Sequence, residues 1–172
     1  AGYVGHAPQT VALVKSALAG RRNSSGLGRI INTHSHSDHI GGNAAVQRAF
    51  GCTIAVPAGM ADAVEHWDEE ALLLRLADQA GERFTHDATL AAGERFVAGE
   101  LEWQAVAAPG HDMDALAYYN AERRILISGD ALWRDGFGIL FAEVLGSGDA
   151  LGEARRTLEA IGRLAVDTVI PG

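Results

Sequence analysis

The stretch Thr33-His34-Ser35-His36-Ser37-Asp38-His39-Ile40-Gly41-Gly42 decides how this chain is to be read. It follows Arg29-Ile30-Ile31-Asn32, a short apolar run that reads as a strand about to end. Alternate side chains of an extended backbone share a face, which sets His34 and His36 pointing the same way. Asp38 and His39 then fall where the chain turns, Gly41-Gly42 permits a tight bend, and Asn43 opens a helix. Three imidazoles and a carboxylate in so short a span, at a strand-to-helix turn, are a donor set suited to borderline metals such as zinc. Isolated histidines are usually solvated loop or core residues; four ligand-type residues in this order are not.

Two further pieces lie downstream, Pro109-Gly110-His111 and Ser128-Gly129-Asp130. Each follows a strand pattern. Leu101 to Val106 alternates and runs into His111, and Arg124 to Ile127 delivers Asp130. Donors at the ends of several strands are expected to converge on one edge of a β-scaffold.

Around these motifs the chain alternates between helix and strand signals. Val11, Val14 and Leu18 recur at helical spacing up to Gly20, and Arg21 to Gly28 is a polar loop. A helix from Asn43 to Phe50, stopped by Gly51, leads to a strand at Thr53–Pro57. Gly59–Trp67 and Glu69–Gln79 read as helices, with Leu72, Leu73, Leu76 and Ala80 facing the core of the second. Glu94–Val97 and Leu101–Val106 form a hairpin about Gly99-Glu100, and Ala115–Tyr119 pairs with the strand that follows. Asp149–Ala165 is an amphipathic helix with Leu151, Ala154, Leu158, Ile161 and Leu164 on its apolar face, before a last strand at Asp167–Ile170. Trp133, Phe137 and Phe141 follow Asp130 and either wall a pocket or pack in the core. His6, His66 and His86 have no ligand-type neighbours in sequence and read as loop or structural residues.

At 172 residues the chain is expected to form a single domain, 1–172, able to bury roughly 70% of its unfolded surface. Apolar residues make up 48% and charged residues 21%, as in an ordinary globule. A formal charge of −8 argues against a nucleic-acid backbone as partner, which calls for a basic patch. Cys52 is the only cysteine, excluding an internal disulfide, and reads as a buried packing residue. No apolar run approaches a membrane span, and a cytoplasmic location is expected.

The signature His34, His36, Asp38, His39, with His111 and Asp130 downstream, resembles the metallo-β-lactamase superfamily of metal-dependent hydrolases. The resemblance implies an α/β fold, the metallo-β-lactamase-like αββα sandwich, in incomplete form. In that family strands precede the position of Ala1, and a histidine commonly follows a Pro-Gly such as Pro171-Gly172. A missing layer is expected to leave an apolar face uncovered.

The resemblance also implies roles. His34, His36 and His111 go to one metal, Asp38 and His39 to a second, and Asp130 bridges them. Two Zn²⁺ ions are expected in the full-length protein, with Fe or Mn as alternatives. The implied reaction uses a metal-bound hydroxide to cleave an ester, thioester, lactone or amide-type bond of a small-molecule substrate. Asp38 is a candidate to hold or shuttle the proton of the attacking water. The bridging Asp130 is closer to thioesterase, lactonase and glyoxalase II-like members than to the β-lactamases proper. Asp112-Met113-Asp114 departs from the Thr-x-Gly common after this histidine in glyoxalase II-like enzymes; the two carboxylates either orient His111 or are solvated. Alternatives are a mononuclear-iron persulfide dioxygenase-like enzyme and a metal-deficient, non-enzymatic fragment.

Overall fold

Helix α1 (Ala7–Ala19) carries Pro8 in its first turn, where a missing N–H costs nothing, and turns Val11, Val14 and Leu18 to its half-buried side. It belongs to a computed structural model that describes residues 1–20 and 26–172. Most of the loop expected at Arg21–Gly28 therefore lies outside the described residues. The chain divides into two compact units, Ala1–Thr89 and Leu90–Gly172.

In the first unit, strand β1 (Arg29–Ile31) pairs in parallel with strand β2 (Thr53–Pro57), Ile30 opposite Ile54. Parallel neighbours need a crossover, and it is supplied by two short helices, α2 (Ser37–Ile40) and α3 (Asn43–Phe50). Gly51, at φ 63°, ends α3 in the left-handed conformation that glycine adopts without penalty. A 3₁₀ turn at Ala58–Met60 leads into helix α4 (Ala61–His66). Strand β3 (Ala88–Leu90) lies beside β2, giving the order β1-β2-β3. Ile40, Ala44, Ile54, Val56, Val64, Leu72, Leu74 and Phe84 form the core. Cys52 is buried, as its sequence context predicts.

The helix expected over Glu69–Gln79 is not formed. The segment is a run of turns, with Leu73 and Asp78 at φ 54° and 50° interrupting any helical ladder. Leu72 and Leu74 are the residues driven into the core, while Leu76, expected inside, is 57% exposed. Leucine-rich spacing set the expectation; burial of two leucines two positions apart satisfies the core without helical geometry.

In the second unit, strands β4 (Arg95–Ala98) and β5 (Leu101–Ala107) make the expected hairpin, with Gly99 in its turn. Strand β6 (Leu116–Asn120) pairs antiparallel with β5 and with β7 (Ile125–Gly129). After a short helix α5 (Phe141–Val144), helix α6 (Ala150–Gly162) crosses over to β8 (Thr168–Pro171), which runs parallel to β7. The order is β4-β5-β6-β7-β8, and edge strand β8 exposes Val169 and Ile170.

Asp149 caps α6, its carboxylate accepting from the Gly152 N–H at 2.9 Å. The apolar face expected here is met at Ala154, Ile161 and Leu164 and not at Leu151 and Leu158. Ala150, Ala154, Thr157 and Ile161 turn inward, whereas Leu151 and Leu158 are 51% and 36% exposed. The reason is close approach. Ala154 lies against Gly110, and the Thr157 hydroxyl donates to the Pro109 carbonyl at 2.8 Å. Among the described residues no helix is long and apolar enough to cross a membrane.

Candidate metal centre

The His34–His39 loop begins where β1 ends and is fastened at both ends. Asn43 Nδ2 donates to Asn32 Oδ1 at 2.7 Å, and Asn32 Nδ2 donates to the His39 carbonyl at 3.3 Å. Both asparagines are buried, so neither hydrogen bond competes with bulk water. Asn43 thus ties β1 to α3; the cap position expected of it is held by Gly42. Gly41 and Gly42 have ordinary helical φ values of −58° and −87°. Their role is space rather than backbone freedom, for a Cβ on Gly41 would stand 2.4 Å from the Val4 nitrogen.

His36 sits in extended conformation just before α2, and Asp38 and His39 lie on that helix. The His34 ring is 4.7 Å from that of His36 and 4.0 Å from that of His39, centroid to centroid. His34 and His36 are buried, and Thr33 Oγ1 lies 3.0 Å from His34 Nδ1. The Asp38 carboxylate is 3.5 Å from His39 Nε2 and more open to solvent. The four donors of the signature are therefore gathered in one place by local structure alone.

In the second unit, His111 follows β5 and Asp130 follows β7, both buried, with His111 Nε2 3.4 Å from Asp130 Oδ2. The opposite ring nitrogen, Nδ1, donates to the Ile139 carbonyl at 2.7 Å. Gly138 N–H donates to the Asp130 carbonyl at 2.9 Å, and the Phe141 ring meets the His111 ring edge-on at 5.4 Å. A Cβ on Gly138 would stand 2.4 Å from His111 Nδ1. Sequence reading did not single out Asn32, Gly138 or Ile139. A backbone carbonyl carries no side-chain signal, and only the glycines around Phe137 hinted at a close approach.

The two carboxylates after His111 have separate tasks. Asp112 Oδ1 accepts from the Asp114 N–H at 2.8 Å, closing a small turn. The Asp114 carboxyl is pushed above its usual range by desolvation and then by the charge of Asp112. Burial pushes the Cys52 thiol up as well, the reverse of an activated nucleophile.

Beside His111 and Asp130 lies a shallow cleft, open to solvent, with enclosed room for about one water. Pro109, Ala131, Phe137, Leu140, Ala154 and Leu158 supply its apolar walls. Phe137 thus lines a pocket, while Phe141 packs on the imidazole. Each unit by itself thus holds nitrogen and oxygen donors of the kind that suit a metal ion: His34, His36, Asp38 and His39 in the first, His111 and Asp130 in the second.

Residues 11–172 match the model of the metallo-β-lactamase superfamily. The chain belongs to that superfamily. Curated relatives include a hydroxyacylglutathione hydrolase of Rhodospirillum rubrum, 33% identical over 77% of this chain and 43% of its own length. Another, from Methylococcus capsulatus, is 29% identical over 84% of the chain and 46% of its length. The chain thus spans less than half of the curated relatives it matches. Among solved structures, a Cronobacter sakazakii metallo-β-lactamase variant aligns with a TM-score of 0.77 at 20% identity, covering 99% of this chain and 66% of that one. A subclass B3 metallo-β-lactamase of Bradyrhizobium japonicum gives 0.73 at 18% identity, covering 99% and 64%. These likenesses establish the metallo-β-lactamase-like α/β fold expected from the signature.

Proposed function

We propose that this metallo-β-lactamase superfamily chain is the catalytic part of a metal-dependent hydrolase acting on a small-molecule thioester or ester, its two units working as one domain. The observation that carries the reading is the histidine loop. Three imidazoles crowd within one short segment, two of them buried, beside a carboxylate. Gathered imidazole nitrogens beside a carboxylate are a donor set suited to a cation.

The donor chemistry fits zinc, with iron or manganese as alternatives. In this reading His34, His36 and His111 would hold one ion, Asp38 and His39 would hold a second, and Asp130 would be available to either. Bound zinc would supply Lewis acidity and bring the pKa of water toward neutrality. The residues of the chain do the rest. The Ile139 carbonyl fixes His111 with its Nε2 directed away from the brace. Asp38, the more solvent-exposed carboxylate of the set, takes the proton of the attacking water. The thioester comes first among candidate bonds because the curated relatives bear the name hydroxyacylglutathione hydrolase.

The test is metal analysis of the full-length protein together with thioester, ester, lactone and β-lactam hydrolysis, before and after chelation. Near two zinc ions per chain, and activity lost to chelator and restored by Zn²⁺, is the expected result. His34→Ala or His111→Ala lowers both metal content and turnover. Activity indifferent to chelator overturns the reading.

A further inference from the structure

Helix α2, which carries Asp38 and His39, is a single turn from Ser37 to Ile40. One turn does not hold itself in water, because forming it fixes several dihedrals for very few hydrogen bonds. Its orientation is therefore set from outside. At its far end Ile40 is fully buried in the core of the first unit, and the His39 carbonyl is held by Asn32. At its near end stands Ser37, between His36 and Asp38. Ser37 is buried, and a buried hydroxyl needs an acceptor. It finds one 42 positions along the chain, donating to Gln79 Oε1 at 3.3 Å.

Gln79 belongs to the run of turns formed in place of the expected helix, and that run is a closed strap. It leaves α4 at Trp67 and returns to the same ring, since a Cβ on Gly81 would stand 3.0 Å from Trp67 Cζ2. Asp68 Oδ1 starts it by accepting from the Glu70 and Ala71 N–H groups at 3.0 and 3.1 Å. Leu72 and Leu74 pin its middle in the core. The Gln79 N–H donates to the Leu74 carbonyl at 2.8 Å, so the backbone is anchored although the residue is exposed. The side-chain amide is oriented as well. Its Nε2 donates to the Ala77 carbonyl at 3.3 Å, which turns Oε1 to accept from Ser37.

We propose that Gln79 is a positioning residue: through the Ser37 hydroxyl it holds the start of α2 and so sets where Asp38 and His39 present their donors to a metal ion. The inference rests on the hydrolase reading above, in which those two residues hold the second ion. Gln79 lies at the surface and its side chain fills no part of the core. Its loss is therefore felt as weaker binding of that ion and not as unfolding.

The test is a Zn²⁺ titration of the full-length protein against a chromophoric chelator, resolving the two affinities, for the parent, Gln79→Ala, Ser37→Ala and the double variant. Gln79→Ala should weaken the step that His39→Ala also weakens, by about three- to tenfold, the size of one net hydrogen bond. The other step and the metal-free Tm should not change. Ser37→Ala should weaken the same step, and the double variant should be no weaker than the weaker single one, as two residues acting through one bond require. At saturating Zn²⁺, KM for the ester or thioester turned over best should equal the parent's. Equal Zn²⁺ affinities in parent and Gln79→Ala, or additive losses in the double variant, overturn this inference and leave the hydrolase reading standing. So do a raised KM with intact affinity, which would make Gln79 a substrate contact, and a lowered metal-free Tm with both steps weakened alike, which would confine it to folding. A parent that takes up no second Zn²⁺ overturns the inference together with the two-ion reading beneath it.

Discussion

His111 Nδ1 donates to the backbone carbonyl of Ile139 at 2.7 Å, joining a donor at the end of β5 to a segment that has no ligand of its own. A carbonyl can only accept, so Nδ1 carries a proton in this bond, and Nε2 lies 3.4 Å from the Asp130 carboxylate. The same segment reaches Asp130 through the Gly138 N–H and covers the imidazole with the Phe141 ring. Residues 138–141 therefore act as a brace for both buried donors of the second unit.

The brace works only because position 138 lacks a side chain. In Gly138→Ala the new methyl would meet His111 Nδ1 at 2.4 Å and the Asp130 carbonyl oxygen at 2.9 Å. One of the two must shift, and disturbed partners of metal-bound histidines typically lower metal affinity about 10- to 100-fold. Competition against a chromophoric chelator should show a loss of that size, with a blue-shifted or weakened Co²⁺ absorption band. An unchanged Zn²⁺ affinity would show that the brace is dispensable.

A second brace holds the histidine loop. Asn43→Ala removes the 2.7 Å donor to Asn32 Oδ1 inside a buried environment, at a cost of about 1–3 kcal/mol. For a chain of this length that corresponds to roughly 2–10 °C in Tm. Because Asn32 also holds the His39 carbonyl, metal affinity should fall together with Tm. Thermal melting and chelator competition on the same preparation check both; a lowered Tm with intact affinity would confine Asn43 to folding.

Cys52 should be inert in the folded protein. Its side chain is buried, its sulfur approaches the Val46 carbonyl, and its thiol is pushed up by desolvation, so thiolate is scarce near neutral pH. Iodoacetamide should label it slowly in native buffer and readily in denaturant, as read by intact mass. Rapid native labelling would contradict the packing around it.

Much of this was legible in the residue string, and the limits have physical causes. The signature loop and the strand ends before His111 and Asp130 could be read because side-chain chemistry and period-two alternation are local properties. The Glu69–Gln79 segment could not, since leucine-rich spacing does not reveal that Leu73 and Asp78 adopt positive φ. On α6, Leu151 and Leu158 were misplaced and Thr157 missed for a related reason. Hydrophobicity ranks both leucines above Thr157, but contact with Pro109-Gly110 selects small side chains. The asparagine bridge and the Ile139 carbonyl depend on residues brought together by folding. They leave no trace in spacing.

Asp114 gives a pH prediction whose sign is fixed by its surroundings. Its folded-state pKa lies above the ordinary 3.8, through desolvation first and the neighbouring Asp112 charge second. The folded chain therefore holds this proton more tightly than the unfolded chain does. As pH rises through the interval from 3.8 to the folded value, the unfolded state loses its proton first and stability falls. The group penalises the fold at neutral pH and not at acid pH below 3.8. Asp114→Asn keeps the shape without the charge, so it should melt slightly above the parent at pH 7, with the difference vanishing near pH 3. Much of the side chain faces solvent, so the gap should be small and should shrink in salt, where the Asp112 repulsion is screened. Paired thermal melts of the two proteins from pH 3 to 8 provide the check; a variant less stable than the parent at pH 7 would show that the Asp114 carboxylate makes a favourable contact outweighing its desolvation.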